Sequence, residues 1–155
     1  MTLELFRTDA YLKECSAQVT KVDEHGICVD RTVFYPMGGG QPGDTGVLIR
    51  SDGSEVAIID TRKDRETGDH LHVLGPDAPL MTVGENVVLN IDWERRYRLM
   101  RMHSCMHVLC AVIDAPVTGG SIRDGSARLD FDLPEPPDKM AIENRLNEWS
   151  FWNIV

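Results

Sequence analysis

The sequence predicts an α+β chain: a small β-barrel over residues 1–92, then an α/β segment over residues 93–155. Three observations predict it. Before Asp92, short apolar runs alternate with turn residues at the spacing of a small all-β barrel. Between Trp93 and Ile113 there is no Gly or Pro, and Arg, Leu and Met are frequent, so this run reads as one long helix. A hairpin pattern and a second helical pattern follow it. At 155 residues the chain suffices for one ordinary domain or two small ones, with the boundary expected near Asp92.

The strands come first. Ala17, Val19 and Val22 suggest a half-buried strand over 16–22, a turn over 23–26 and a return over 26–30. Residues 46–50 and 55–60 form a second hairpin across Ser51-Asp-Gly53. Strands over 70–74 and 86–92 complete the set, with Gly75-Pro76 and Gly84 between them. His70 and His72 share one strand face and read as surface or packing residues rather than metal ligands.

The helix carries His103 and His107, spaced HxxxH. Residues i and i+4 stack on one helix face, so both imidazoles can aim a nitrogen at one metal ion. Two half-buried histidines satisfied by backbone or a carboxylate fit the same spacing. Ser104 stands where the zincin signature needs Glu, which excludes that protease class. On a helical wheel Leu99, Met102, Met106, Leu109 and Ile113 share the arc expected to be buried. The histidines lie at its edge with Arg96 and Met100, and Cys105 points away. Arg95, Arg96, Arg98 and Arg101 crowd into seven positions. They read as a solvated face or as a phosphate contact.

After the helix, 117–123 and 126–132 form a hairpin turning at Asp124-Gly125. Asp130 and Asp132 would face away from Leu129 and Phe131. Beyond Pro134, Pro136 and Pro137, Asp138 can cap a helix in which Ile142, Leu146 and Trp149 recur on one face. The last five residues are apolar and carry no stop signal.

Composition narrows the function classes. The net charge of −9 argues against coating nucleic acid by bulk electrostatics, though not against a local basic patch. No apolar run approaches the ~18 residues of a membrane span, and the N-terminus lacks a signal-peptide pattern. No membrane and no stable protein partner is implied. Cys15, Cys28, Cys105 and Cys110 show no CxxC and suit buried thiols in a reducing, cytoplasmic setting.

The second unusual stretch is Phe34-Tyr-Pro-Met-Gly-Gly-Gly-Gln-Pro-Gly-Asp-Thr-Gly46. It lacks the Gly-Lys-Ser/Thr ending of a P-loop, and a strand follows it. It is either an elaborate turn or a loop that lays its backbone against a ligand. In the second case Gly38, Gly39 and Gly40 supply close approach, and Gln41 supplies a donor and an acceptor at the crown.

Together this stretch, the run from Arg98 through His103 and His107 to Leu109, Thr118-Gly-Gly-Ser-Ile and Arg128-Leu-Asp-Phe-Asp132 resemble the editing domain of alanyl-tRNA synthetase. They resemble most its free-standing relatives, the AlaX trans-editing proteins. The resemblance covers about residues 6–149, and order and spacing make the combination specific. It implies a barrel bearing the glycine-rich motif, then an α/β editing domain. It implies hydrolysis of the ester of tRNA(Ala) mischarged with serine or glycine. It also implies a zinc ion held by HxxxH and a later Cys-x-x-x-His. His103 and His107 map onto the first pair. Gly38, Gly39, Gly40 and Gln41 map onto the loop over the editing pocket, with Gln41 the expected catalytic side chain and Arg96 expected at the substrate.

The second ligand pair has no counterpart: Cys110 lies in the same helix, and no His follows His107. The expectation is therefore an editing domain that stops short and binds zinc weakly, on a chain nearly inactive by itself. A non-catalytic tRNA-binding module on the same fold, and an unrelated zinc-dependent hydrolase of small esters, are the alternatives.

Overall fold

A computed structural model describes residues 2–64 and 67–150, without the side chains of 149 and 150. The expected contribution of Trp149 and the apolar residues 151–155 lie outside the described residues. The chain divides into two compact units, Met1–Arg96 and Tyr97–Val155.

The first unit is built of strands β1 (Leu3–Glu4), β2 (Glu14–Asp23), β3 (Gly26–Val29), β4 (Arg31–Thr32), β5 (Gly46–Arg50), β6 (Glu55–Lys63), β7 (His70–Leu74) and β8 (Asn86–Ile91), with a 3-10 turn at Leu5–Arg7. Six strands close into an antiparallel barrel in the order β2-β3-β7-β6-β5-β8, with β8 pairing back onto β2. The predicted hairpins are both present. The short parallel pair β1–β4, with Leu3 opposite Arg31, is an addition that sequence pattern did not signal.

Period-2 alternation explains the interior. Val56 and Ile58 of β6, Leu48 of β5, and Val87, Leu89 and Ile91 of β8 all point inward and are buried. Leu48 lies opposite both Val56 and Leu89, which places it mid-barrel. Val22 departs from expectation. Ala17 and Val19 are buried, but a register shift between Val19 and Lys21 accompanies an outward-facing Val22.

His70 and His72 face the interior as packing residues. The His72 Nε2 lies 2.8 Å from the Thr32 hydroxyl oxygen, and its ring meets Phe34 edge-on at 5.3 Å. The His70 Nε2 lies 2.9 Å from a Glu4 carboxylate oxygen, and its ring stacks on Phe6. Burial pushes both imidazoles down to about 4.

Helix α1 (Trp93–Val112) starts in the first unit and runs on in the second. Asp92 begins it, its carboxylate accepting the Arg95 N–H at 3.1 Å. The second unit adds the hairpin β9 (Val117–Arg123) and β10 (Ser126–Phe131), with Arg123 opposite Ser126 across the predicted Asp124-Gly125 turn. Helix α2 (Lys139–Ser150) is capped by Asp138, which accepts the N–H groups of Met140 and Ala141. Arg145 of α2 donates to the Val112 carbonyl at the end of α1.

The buried positions of α1 differ from the predicted arc. Leu99, Val108 and Val112 are buried, whereas Met102, Met106, Leu109 and Ile113 are only half-buried. A unit this small cannot enclose the whole apolar arc of a five-turn helix. All four cysteines are free thiols. Among the described residues no helix is long and apolar enough to cross a membrane.

Candidate functional site

The glycine-rich stretch leaves β4 and returns to β5. Its tip is a tight turn. The Gly38 N–H donates to the Gln41 carbonyl and the Gln41 N–H to the Gly38 carbonyl, both at 3.0 Å. The two residues between them, Gly39 and Gly40, have φ of 58° and 78°. This positive-φ pair is what a two-residue type I′ turn requires. Gly39 and Gly40 are the exposed crown, and Gln41 sits at the base with 4% of its surface exposed. The sequence pattern places Gln41 at the crown, and the structure places it below. A two-residue turn leaves only its central residues at the crown, and Pro42 restricts Gln41 to extended backbone.

The base of the loop is closed by reciprocal bonds between Tyr35 and Asp44. The Asp44 N–H donates to the Tyr35 carbonyl at 2.9 Å, and the Tyr35 N–H donates to the Asp44 Oδ2 at 2.8 Å. Thr61 of β6 pins both sides. Its carbonyl accepts the Met37 N–H at 2.8 Å, and its hydroxyl donates to the Asp44 carbonyl at 2.9 Å. Gly43 lies so close to β6 that a Cβ there would stand 2.0 Å from the Thr61 carbonyl oxygen.

The first turn of α1 completes the frame. Arg95 donates through Nη1 to the Gly43 carbonyl at 2.8 Å. Arg96 pairs through Nη1 with the Asp44 Oδ2, and both side chains are buried. The Arg96 guanidinium lies over the rings of Tyr35, at 5.4 Å, and Phe6, at 5.9 Å. Burial raises the Asp44 carboxyl from its usual value, and the Arg96 charge opposes that rise. Asp44, Tyr35 and Thr61 were not singled out from sequence. An Asp inside a Gly/Pro loop, with an Arg-rich helix downstream, was the signal available.

In the second unit His103 and His107 lie parallel on α1, with ring centroids 5.0 Å apart and planes 10° apart. His103 is half-buried and His107 exposed. Burial, then the neighbouring His107, holds His103 below its ordinary value, so it is neutral at pH 7 as a metal ligand must be. Imidazole nitrogens of this kind suit zinc as donors. Among the described residues, however, no third His, Cys, Asp or Glu joins them. Asp130 does not serve: its carboxylate lies against Gly119 and 3.2 Å from Arg128. The pair offers two nitrogen donors, short of the four that a tetrahedral zinc site takes.

The arginine cluster has protein partners throughout. Besides Arg95 and Arg96, Arg98 binds Asp124, and Arg101 lies over the Tyr97 ring. The Arg96 expected at a substrate is thus committed to Asp44.

Comparison with known proteins bears on what this frame is for. A family model described as tRNA synthetases class II (A) matches residues 6–95. The chain is 35% identical over 152 residues to the alanyl-tRNA editing protein AlaX-M of Saccharolobus solfataricus, covering 96% of this chain and 64% of that protein. It is 44% identical over 143 residues to AlaX-M of Methanosarcina mazei, covering 86% and 56% respectively. It is 38% identical over 158 residues to an alanine–tRNA ligase of Pyrobaculum calidifontis, covering 95% of this chain and 17% of the ligase. The chain thus spans 56% to 64% of the length of these two editing proteins.

Proposed function

The chain belongs to the class II (A) tRNA synthetase family, in its AlaX-type alanyl-tRNA editing branch, and from that premise we propose that it works in the cytoplasm as a zinc-dependent aminoacyl-tRNA deacylase. Its substrate in this reading is tRNA(Ala) carrying serine or glycine, cleaved in trans at the ester to the terminal ribose. The observation that supports it is one chain holding both a braced glycine turn and two parallel imidazoles on one helix.

The need for such an activity is physical. One methylene changes binding by only ~1–3 kcal/mol, and a pocket poorly rejects an isostere that adds a hydroxyl. Hydrolysis at a second site makes up the difference. In this reading Gly38, Gly39 and Gly40 bring backbone close to the substrate, and the Gln41 amide donates and accepts hydrogen bonds beside them. Arg96 serves the substrate through the loop it grips. His103 and His107 would supply two nitrogen ligands to a zinc ion, whose chemistry there would be to polarise a carbonyl or activate a water.

Deacylation of Ser-, Gly- and Ala-tRNA(Ala) in excess zinc, beside the same reaction with a chelator, tests the proposal. The expected result is release of serine or glycine, alanine left largely in place, and loss of activity with chelator. Equal hydrolysis of all three would remove the editing role. The ligand set, incomplete among the described residues, favours a second reading, a tRNA-binding module without catalysis. Tight tRNA(Ala) binding with no release of any amino acid would select it.

A further inference from the structure

We propose that Arg96 is a positioning residue, which fixes the glycine turn in one conformation by gripping Asp44. The inference rests on the reading above for what the turn does, not for how it is held.

Gly38, Gly39 and Gly40 give this loop more backbone freedom than any other triplet would. Yet a loop that orients a substrate must be held within fractions of an ångström of its working geometry. Asp44 is where the bracing converges. Its Oδ2 accepts the Tyr35 N–H and pairs with Arg96, its carbonyl accepts the Thr61 hydroxyl, and its N–H closes on Tyr35. Arg96 is itself aimed by the Tyr35 and Phe6 rings, and Arg95 holds the adjacent Gly43 carbonyl.

A buried ion pair is a poor way to gain stability, because apolar residues of the same volume do as well or better. What it does provide is a unique geometry. This pair sits at the foot of the glycine loop, beside rather than within the apolar cluster of the barrel. A guanidinium also suits the place better than an ammonium, since only it combines ring stacking with a directed N–H.

The test uses Asp44→Asn, which keeps an acceptor for Tyr35 but removes the charge, and Arg96→Lys, which keeps the charge but loses the planar fork. The first readout is amide hydrogen exchange at Met37, Gly38, Gln41 and Asp44, all hydrogen-bonded in the loop. Both variants should exchange these amides at least tenfold faster, with Leu48 and Leu89 in the barrel unchanged. Unaltered loop protection in whichever variant folds would overturn the proposal. The second readout is deacylation of Ser-tRNA(Ala) in excess zinc. Each variant should lose roughly tenfold in kcat with KM little changed, and adding Gln41→Ala should cause no further loss. Independent, multiplicative losses would show that Arg96 does not act through the turn. A wild-type protein that releases no serine would defeat the deacylase reading, while the exchange measurement would still decide how the loop is held.

Discussion

The imidazoles of His103 and His107 lie face to face, 5.0 Å between centroids and 10° between planes. Such a pair offers two nitrogens to one ion, and a catalytic zinc ordinarily takes three protein ligands. With no third ligand among the described residues, the 155-residue chain should retain well under one equivalent of zinc after dialysis. His103→Ala or His107→Ala should abolish what remains. Metal analysis by mass spectrometry checks this. A full equivalent surviving dialysis would require another ligand.

The glycine turn makes a graded prediction. Gly40 has φ of 78°, where Asn is tolerated and Ala is strained. Gly40→Asn should therefore cost less stability than Gly40→Ala, which should cost about 1 kcal/mol. Gly43→Ala should cost more than either, because its Cβ would meet the Thr61 carbonyl oxygen at 2.0 Å and a strand must move. Urea unfolding of the three variants gives the order. Equal costs at positions 40 and 43 would contradict the packing of Gly43 on β6.

These features show what a sequence discloses. The hairpins of the barrel, α1 and the Asp124-Gly125 hairpin were legible because period-2 and helical patterns are local. The cap Asp138 was legible for the same reason. The pairing of Arg96 with Asp44 was not, since 52 residues separate them and neither pattern mentions the other. Gln41 could be marked as the polar residue of its loop, but its burial depends on a turn that places only Gly39 and Gly40 at the crown. The buried positions of α1 followed Val108 and Val112 because tertiary packing, not the wheel, selects among apolar positions.

Arg98 holds Asp124 with two bonds of 2.8 Å, Nε to Oδ1 and Nη2 to Oδ2. This ties α1 to the tip of the β9–β10 hairpin within the second unit. Both side chains are about half exposed, so the pair should contribute no more than about 1 kcal/mol despite its bidentate geometry. Arg98→Ala should lower the thermal midpoint slightly at low salt and hardly at all at 1 M salt, where screening has removed most of the attraction. A loss of the same size at both salt concentrations would mean that Arg98 acts by packing instead.

His72 predicts an acid-sensitive barrel. Burial holds its imidazole at about 4, against an ordinary 6.5, and among the described residues its side-chain hydrogen-bond partner is the neutral Thr32 hydroxyl. Between those two values the unfolded chain binds a proton that the folded barrel refuses. Stability from this group is therefore complete above pH 6.5, falls as pH drops through the window, and levels off below about 4. The difference corresponds to at most about 3 kcal/mol. His70, held by burial at about the same value, titrates in the same window and is common to the wild type and a His72 variant. His72→Gln keeps a polar partner for Thr32 and removes the titration. Urea midpoints of both proteins at pH 7.5, 5.5 and 4.5 isolate the effect, since other titrating groups are common to the two. The wild type should lose more stability than the variant on acidification, so the gap between them should shift steadily in the variant's favour. A gap that stays constant across this range would show that His72 titrates alike in the folded and unfolded chain.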